Sequence, residues 1–141
     1  MANKTLLGFD FGMKHIGVAV GQTITQTATP LTSLKATDGI PQWEEIGKLI
    51  STWGAQALVI GIPLNMDGTS QPITAAAKKF GNRLNARFKL PVHHVDERLT
   101  TAEAKQVLFD TAGYRALDKA SIDSFAAKLI LESWLQHAKQ Q

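Results

Sequence analysis

The chain reads as an α/β protein built on a mixed five-stranded sheet, a three-strand antiparallel meander plus two parallel strands, flanked by helices. Three observations carry that prediction. Thr5 to Gly21, TLLGFDFGMKHIGVAVG, holds a near-continuous apolar run and then an alternating one, which makes two strands joined by a tight turn. Ala57 to Ile62, ALVIGI, is a second short apolar run of the kind buried on both faces. Apolar residues at helical spacing separate the two runs, so the second strand is expected parallel to the first. At 141 residues the chain fits one domain, 1–141.

In the first strand Leu6, Leu7, Phe9 and Phe11 are interrupted by Asp10, the only acidic residue among the first 37. A carboxylate in a central strand needs a cation or several donors to offset its lost hydration. An Asp that caps its own turn is the plainer alternative. Gly12 permits the turn, Ile16, Val18 and Val20 alternate in the next strand, and Gly17 and Gly21 keep that strand thin. Gln22 to Leu34 is rich in Thr and reads as a half-polar edge strand, with Pro30 arguing against a central place. Lys35 to Gly39 turns the chain, and Pro41 suits the first position of a helix that carries Trp43, Ile46, Leu49, Ile50 and Trp53 and ends at Gly54. Its tryptophans read as packing residues.

Beyond ALVIGI, the loop Pro63 to Gly68 is full of turn formers and sits where open α/β sheets bind ligands, past the carboxyl ends of the strands. Thr69 or Ser70 can cap the next helix, whose apolar stripe is Ile73, Ala77, Phe80, Leu84 and Phe88. Between Gly68 and Val95 there is no acid but there are Lys78, Lys79, Arg83, Arg87 and Lys89. Lys79, Arg83 and Arg87 recur every four residues and share a helical face, either solvated or turned to phosphate. Lys89 to Val95 reads as the last strand, with His93 and His94 on opposite faces, and it delivers Asp96, Glu97 and Arg98 to its end. Glu97 is placed to meet a ligand, or else pairs with Arg98. Thr100 and Glu103 stand in capping-box relation and start a helix through Phe109 that closes near Gly113. Thr111 to Ala120 lacks periodicity and reads as a mobile loop offering Tyr114, Arg115 and Lys119. A final helix contains Ile122, Phe125, Leu129, Ile130 and Trp134, with Asp123 in its first turn, where the helix dipole favours a carboxylate. Asp123 also shares a face with Ala127 and Ile130 and so borders the buried side.

Composition narrows the chemistry. With 44% hydrophobic and 19% charged residues and no long apolar run, the chain is expected to be cytoplasmic, without membrane partners. It has no cysteine, which excludes disulfides, thiolate catalysis and Cys-ligated metal. The net charge of +3 hints only mildly at polyanions. If the first strand is central, Asp10, Glu97 and Asp123 can converge. Two carboxylates about 4 Å apart repel by roughly 4 kcal/mol at an effective dielectric near 20, so such a cluster calls for a cation, and oxygen ligands select Mg²⁺ or Mn²⁺. Beside a basic helix this is the chemistry of phosphodiester hydrolysis.

Four stretches carry a resemblance: FDFGMKHIGVAVG at Phe9 to Gly21, VIGIPLNMDG at Val59 to Gly68, DERLTT at Asp96 to Thr101, and KASIDSFAAKLILE at Lys119 to Glu132. In order and spacing the chain resembles the YqgF/RuvX family of the ribonuclease H-like fold, whose names point to pre-16S rRNA nucleases and to Holliday junction resolvases. The resemblance implies a metal-dependent nuclease in 5′-end processing of pre-16S rRNA. Asp10, Glu97 and Asp123 would be its metal-binding catalytic acids, holding two ions. Lys79, Arg83, Arg87, Arg98 and Lys119 would hold the nucleic-acid backbone. Met13 departs from the first motif, and the PLNMDG loop brings no Glu to the end of its strand, unlike the junction resolvases proper. The alternatives are a resolvase of branched DNA, which predicts a homodimer rather than a monomer, and a non-catalytic nucleic-acid binding module. Asp10-Phe11-Gly12 also resembles the phosphate turn of sugar kinases and actin-like ATPases, which close two such domains over ATP.

Overall fold

The computed structural model describes residues 3–97 and 119–138. Among the described residues nine elements run in the order β1 (Thr5–Asp10), β2 (His15–Gln22), β3 (Thr27–Thr37), β4 (Ile40–Pro41), α1 (Trp43–Trp53), β5 (Ala57–Ile62), α2 (Pro72–Phe88), β6 (Val92–Asp96) and α3 (Lys119–Ala138). They form one mixed sheet in the order β4-β3-β2-β1-β5-β6. β1 is antiparallel to β2 and parallel to β5, and β5 is parallel to β6. The meander and both parallel strands are therefore as expected.

Among the described residues the sheet has six strands rather than five. β3 runs on through Lys35 to Thr37 and folds back through Asp38-Gly39 into a two-residue strand, with Ala36 opposite Pro41 and Thr37 opposite Ile40. Asp38 and Gly39 both have positive φ, 52° and 80°, as a two-residue hairpin turn demands. Pro41 is thus a strand residue, and α1 begins at Trp43 after Gln42. Other boundaries move for local reasons. Gln22 closes β2, opposite Thr27, so the edge strand starts only there. The partners of Val18 and Ala19 are Thr32 and Pro30, a bulge that accommodates the proline. Gln71, not Thr69 or Ser70, caps α2, in a reciprocal box with Thr74 and with Pro72 in the first turn. Lys89 ends α2 at φ 58° and is not part of β6.

Each face of the sheet builds its own core. Leu7, Phe9, Phe11, Ile16, Val18, Leu58 and Ile60 point to α1 and α2 and surround Phe80, whose ring meets Phe9 edge-on at 5.8 Å, Phe11 at 5.2 Å and the stacked Trp43 at 5.8 Å. Trp43 packs as expected, but Trp53 is 42% exposed. The other face holds Leu6, Ala28, Ala57 and Val59 against Ile130, Leu131 and Leu135 of α3. Glu132 fastens α3 to the edge by accepting the Ala28 N–H at 2.9 Å. α3 starts at Lys119, so Lys119 is helical and Asp123 lies beyond the first turn. The dipole argument for Asp123 is replaced by burial, because it is 6% exposed on the face it shares with Ala127 and Ile130. The helix expected from Thr100, its closure near Gly113, the loop after Thr111 with Tyr114 and Arg115, and Arg98 lie outside the described residues.

Candidate active site

The carboxylates meet at one end of the sheet, on the α3 face, and two glycines make room for them. Asp10 ends β1, directly opposite Gly17 of β2. A Cβ on Gly17 would collide with the backbone carbonyl of Asp123, so only a bare position lets this turn of α3 lie on the sheet beside Asp10. On the other side, a Cβ on Gly61 would stand 2.5 Å from Ile130 Cδ1, 2.8 Å from Glu97 Cγ and 3.0 Å from Oε1. Gly61 is thus the recess into which the Glu97 side chain folds. β6 positions Glu97 by pairing Gly61 with Val95 and Ile62 with Asp96.

Glu97 is 8% exposed and hydrogen-bonds Asp10. Burial first, then that hydrogen bond, then the charges of Asp10 and Asp96 push its carboxyl from an ordinary 4.5 up to about 10. At neutral pH the pair therefore shares a proton. Asp123 extends the row on the far side, where its Oδ2 accepts from Ser33 Oγ of β3 at 3.0 Å. Among the described residues no group of three His, Asp or Glu side chains is arranged to hold a single ion. The near contact is Asp10 with Glu97, and Asp123 reaches Ser33. The donor chemistry still suits a hard divalent cation, because the cluster offers carboxylate oxygens and the hydrogen bond between two acids is what such a cation would replace.

The raised carboxyl has a stability consequence. Between about 4.5 and about 10 the folded chain keeps a proton on Glu97 that the unfolded chain has released. The metal-free protein must then lose stability as pH rises through that window. Glu97→Gln should flatten the slope, measured by chemical denaturation at about pH 5.5 and about pH 8.5. An unchanged slope would contradict the buried, proton-sharing pair.

Lys79 and Arg83 occupy the same end but the opposite face. Phe11, one residue past Asp10, lines a cavity of about 220 Å³ with Asp38, Ile40, Phe80, Lys79 and Arg83. Arg87, further along α2, lies 4.6 Å over the Trp43 ring. Lys119 is placed at the start of α3. His93 and His94 face opposite sides as expected: His93 stacks on Trp134 at 4.5 Å, and His94 approaches Gly81 of α2. Burial, then His94 and Lys4, hold His93 below its usual range. Sequence reasoning passed over Gly61 and Ser33. A lone glycine inside ALVIGI was the available signal for the first, whereas the contact of Ser33 with a residue 90 positions away left none.

A family model described as "RuvX: Holliday junction resolvase" matches residues 4–137. A protein of Shewanella oneidensis is 58% identical over 137 residues, 97% of this chain and 97% of its own. One of Aeromonas hydrophila is 54% identical over 136 residues, 96% of this chain and 97% of its own. Both are named "Putative pre-16S rRNA nuclease". Among solved structures, Thermus thermophilus RuvC in complex with a Holliday junction substrate is similar at a TM-score of 0.56 and 15% identity, over 96% of each chain. The Fowlpox virus resolvase with its substrate Holliday junction DNA gives 0.55 at 11%, over 95% of this chain and 98% of that one. At such identities the likeness is one of fold.

Proposed function

The chain belongs to the RuvX family, and from that membership and the carboxylate row we propose that it is a divalent-cation-dependent nuclease of the ribonuclease H-like fold that processes the 5′ end of pre-16S ribosomal RNA. The observation that carries the reading is the Asp10–Glu97 contact over Gly61, with Asp123 brought alongside by Gly17. Asp10 and Glu97 are the residues to hold Mg²⁺ or Mn²⁺, with Asp123 as the third acid. When bound, the cation supplies Lewis acidity and offsets charge at the phosphate. The chain's own part is positional. The sheet fixes Asp10 and Glu97 on strand ends, α3 closes over them and excludes water from one side, and Ser33 holds one oxygen of Asp123. Proton sharing between Asp10 and Glu97 keeps the metal-free cluster from carrying its full charge.

Lys79 and Arg83 are the backbone contacts, reached by a strand that crosses the end of the sheet; Arg87, Arg98 and Lys119 are further candidates. Removing Lys79 and Arg83 together should weaken binding to single-stranded RNA and reduce the slope of log affinity against log salt by about 1.4, two contacts at about 0.7 each. An unchanged slope in a filter-binding series would remove them from the interface. In cells depleted of the protein, 16S precursors with unprocessed 5′ ends should accumulate, and wild type but not Asp10→Asn should clear them. Normal precursors would sink the reading. The family description favours one second reading, resolution of four-way DNA by the same acids. The cytoplasm is the compartment this substrate implies, and no helix among the described residues is long and apolar enough to cross a membrane.

A further inference from the structure

The loop after β5 is built to hold one apolar side chain outward. Asn65 and Thr69 close a three-residue loop, Met66-Asp67-Gly68, through Asn65 N–H to Thr69 O at 2.8 Å, Gly68 N–H to Asn65 O at 2.8 Å, and an Asn65 Nδ2 bond to Thr69 Oγ1 at 2.9 Å. Asp67 accepts from the Thr69 N–H at 2.9 Å and from its hydroxyl at 2.6 Å. Gly68 supplies the positive φ, 89°, that this closure requires. Below it Leu64 bridges Ser70, and Thr74 of α2 bonds the Pro63 carbonyl, so both stems are anchored. At the tip Met66 is 87% exposed. This methionine stands on a loop whose polar groups fix its shape.

Its surroundings name the partner. The loop leaves β5 directly after Ile62, whose neighbour in β6 is Asp96, next to Glu97. It then leads into the acid-free stretch that carries Lys78, Lys79 and Arg83. Two more exposed apolar side chains, Met13 (42%) and Ile40 (46%), stand at this same end of the sheet. Ile40 lines one cavity with Lys79 and Arg83, and apolar side chains at the end of the sheet that carries these cations and the acids suit a polyanion with apolar faces, which is a nucleic acid with an exposed base. Resting on the nuclease reading above, we propose that Met66 is a wedge that packs against an unstacked nucleobase flanking the scissile phosphate. Apolar wedges of this kind part neighbouring bases, and the cost is least where the base is already unpaired. The fixed loop spares the ordering cost that a flexible tip would add. The substrate selected is then single-stranded or distorted next to the cut, not regular duplex.

The test uses single-stranded RNA carrying 2-aminopurine at successive positions, in Ca²⁺, with wild type, Met66→Ala and Met66→Leu. Wild type should brighten the probe at one position. Met66→Ala should bind roughly 10-fold more weakly and lose the brightening, and Met66→Leu should keep both. All three should share one salt slope, since no charge is removed. A Met66→Ala protein that brightens the probe and binds as wild type does, while wild type still cleaves RNA with Mn²⁺, would overturn the wedge alone. Wild type that binds no RNA would overturn the wedge and the nuclease reading together.

Discussion

Asp10→Asn should lower metal-dependent RNA cleavage by about a thousandfold or more while leaving the fold at least as stable. The side chain keeps its size, its amide oxygen can still accept from the protonated Glu97 carboxyl, and one charge beside that buried carboxyl is removed. Two further readouts separate this from misfolding. The Glu97 carboxyl, followed by carbon-13 NMR, should titrate lower than in wild type yet stay above its ordinary range, because burial is the largest cause of its shift and persists. Mn²⁺ binding by calorimetry should fall with the activity. Full activity in a folded Asp10→Asn protein would remove Asp10 from the chemistry.

Gly17→Ala should cost at least about 3 kcal/mol and lower Tm by roughly 10 °C, with loss of cleavage even where the protein remains folded. The added methyl meets the Asp123 backbone, not a flexible side-chain tip, so α3 has to lift off the sheet. Lifting α3 opens the core under Ile130 and Leu131 and carries Asp123 away from Asp10. Gly47→Ala is the contrast. It lies inside α1, its nearest neighbour is the Phe88 ring at 3.4 Å, and the gain in helix propensity should make it neutral or stabilising by up to about 1 kcal/mol. Equal effects of the two substitutions would argue against close approach at Gly17.

The parts of this architecture that are legible in the sequence are those with strong local signals. β1 and β5 are continuous apolar runs, α1 and α2 have clear stripes, and Asp10 stands out because nothing else in its strand is charged. The resemblance to a nuclease family pointed to the same three acids that the fold brings to one end of the sheet. What local pattern could not convey are contacts distant in sequence. Ser33 sits in a threonine-rich segment indistinguishable from any solvated edge strand, and its bond to Asp123 exists only once α3 has docked. The sixth strand is hidden in the sequence for a different reason. Asp38-Gly39 is itself a hairpin signal, but Pro41 so soon afterwards suits a helix start equally well, and only pairing with Ala36 decides between them. Asp123 reads as a first-turn residue because the residues before Ile122 carry no helical stripe, although the helix already runs from Lys119. The basic stripe was expected beside the acids. It lies at the same end but behind the sheet, since Phe11 alternates to the face opposite Asp10.

The central claim is that this carboxylate row cuts ribosomal RNA precursor with the help of a divalent ion. The measurement that bears on it most directly is a side-by-side digestion of a 16S precursor transcript and a four-way DNA junction, in Mg²⁺, Mn²⁺ or EDTA. Cuts in the precursor near the mature 5′ end that need metal and vanish with Asp10→Asn are the predicted result. Cleavage that survives EDTA or Asp10→Asn, or paired symmetric cuts in the junction with the transcript left intact, would contradict it.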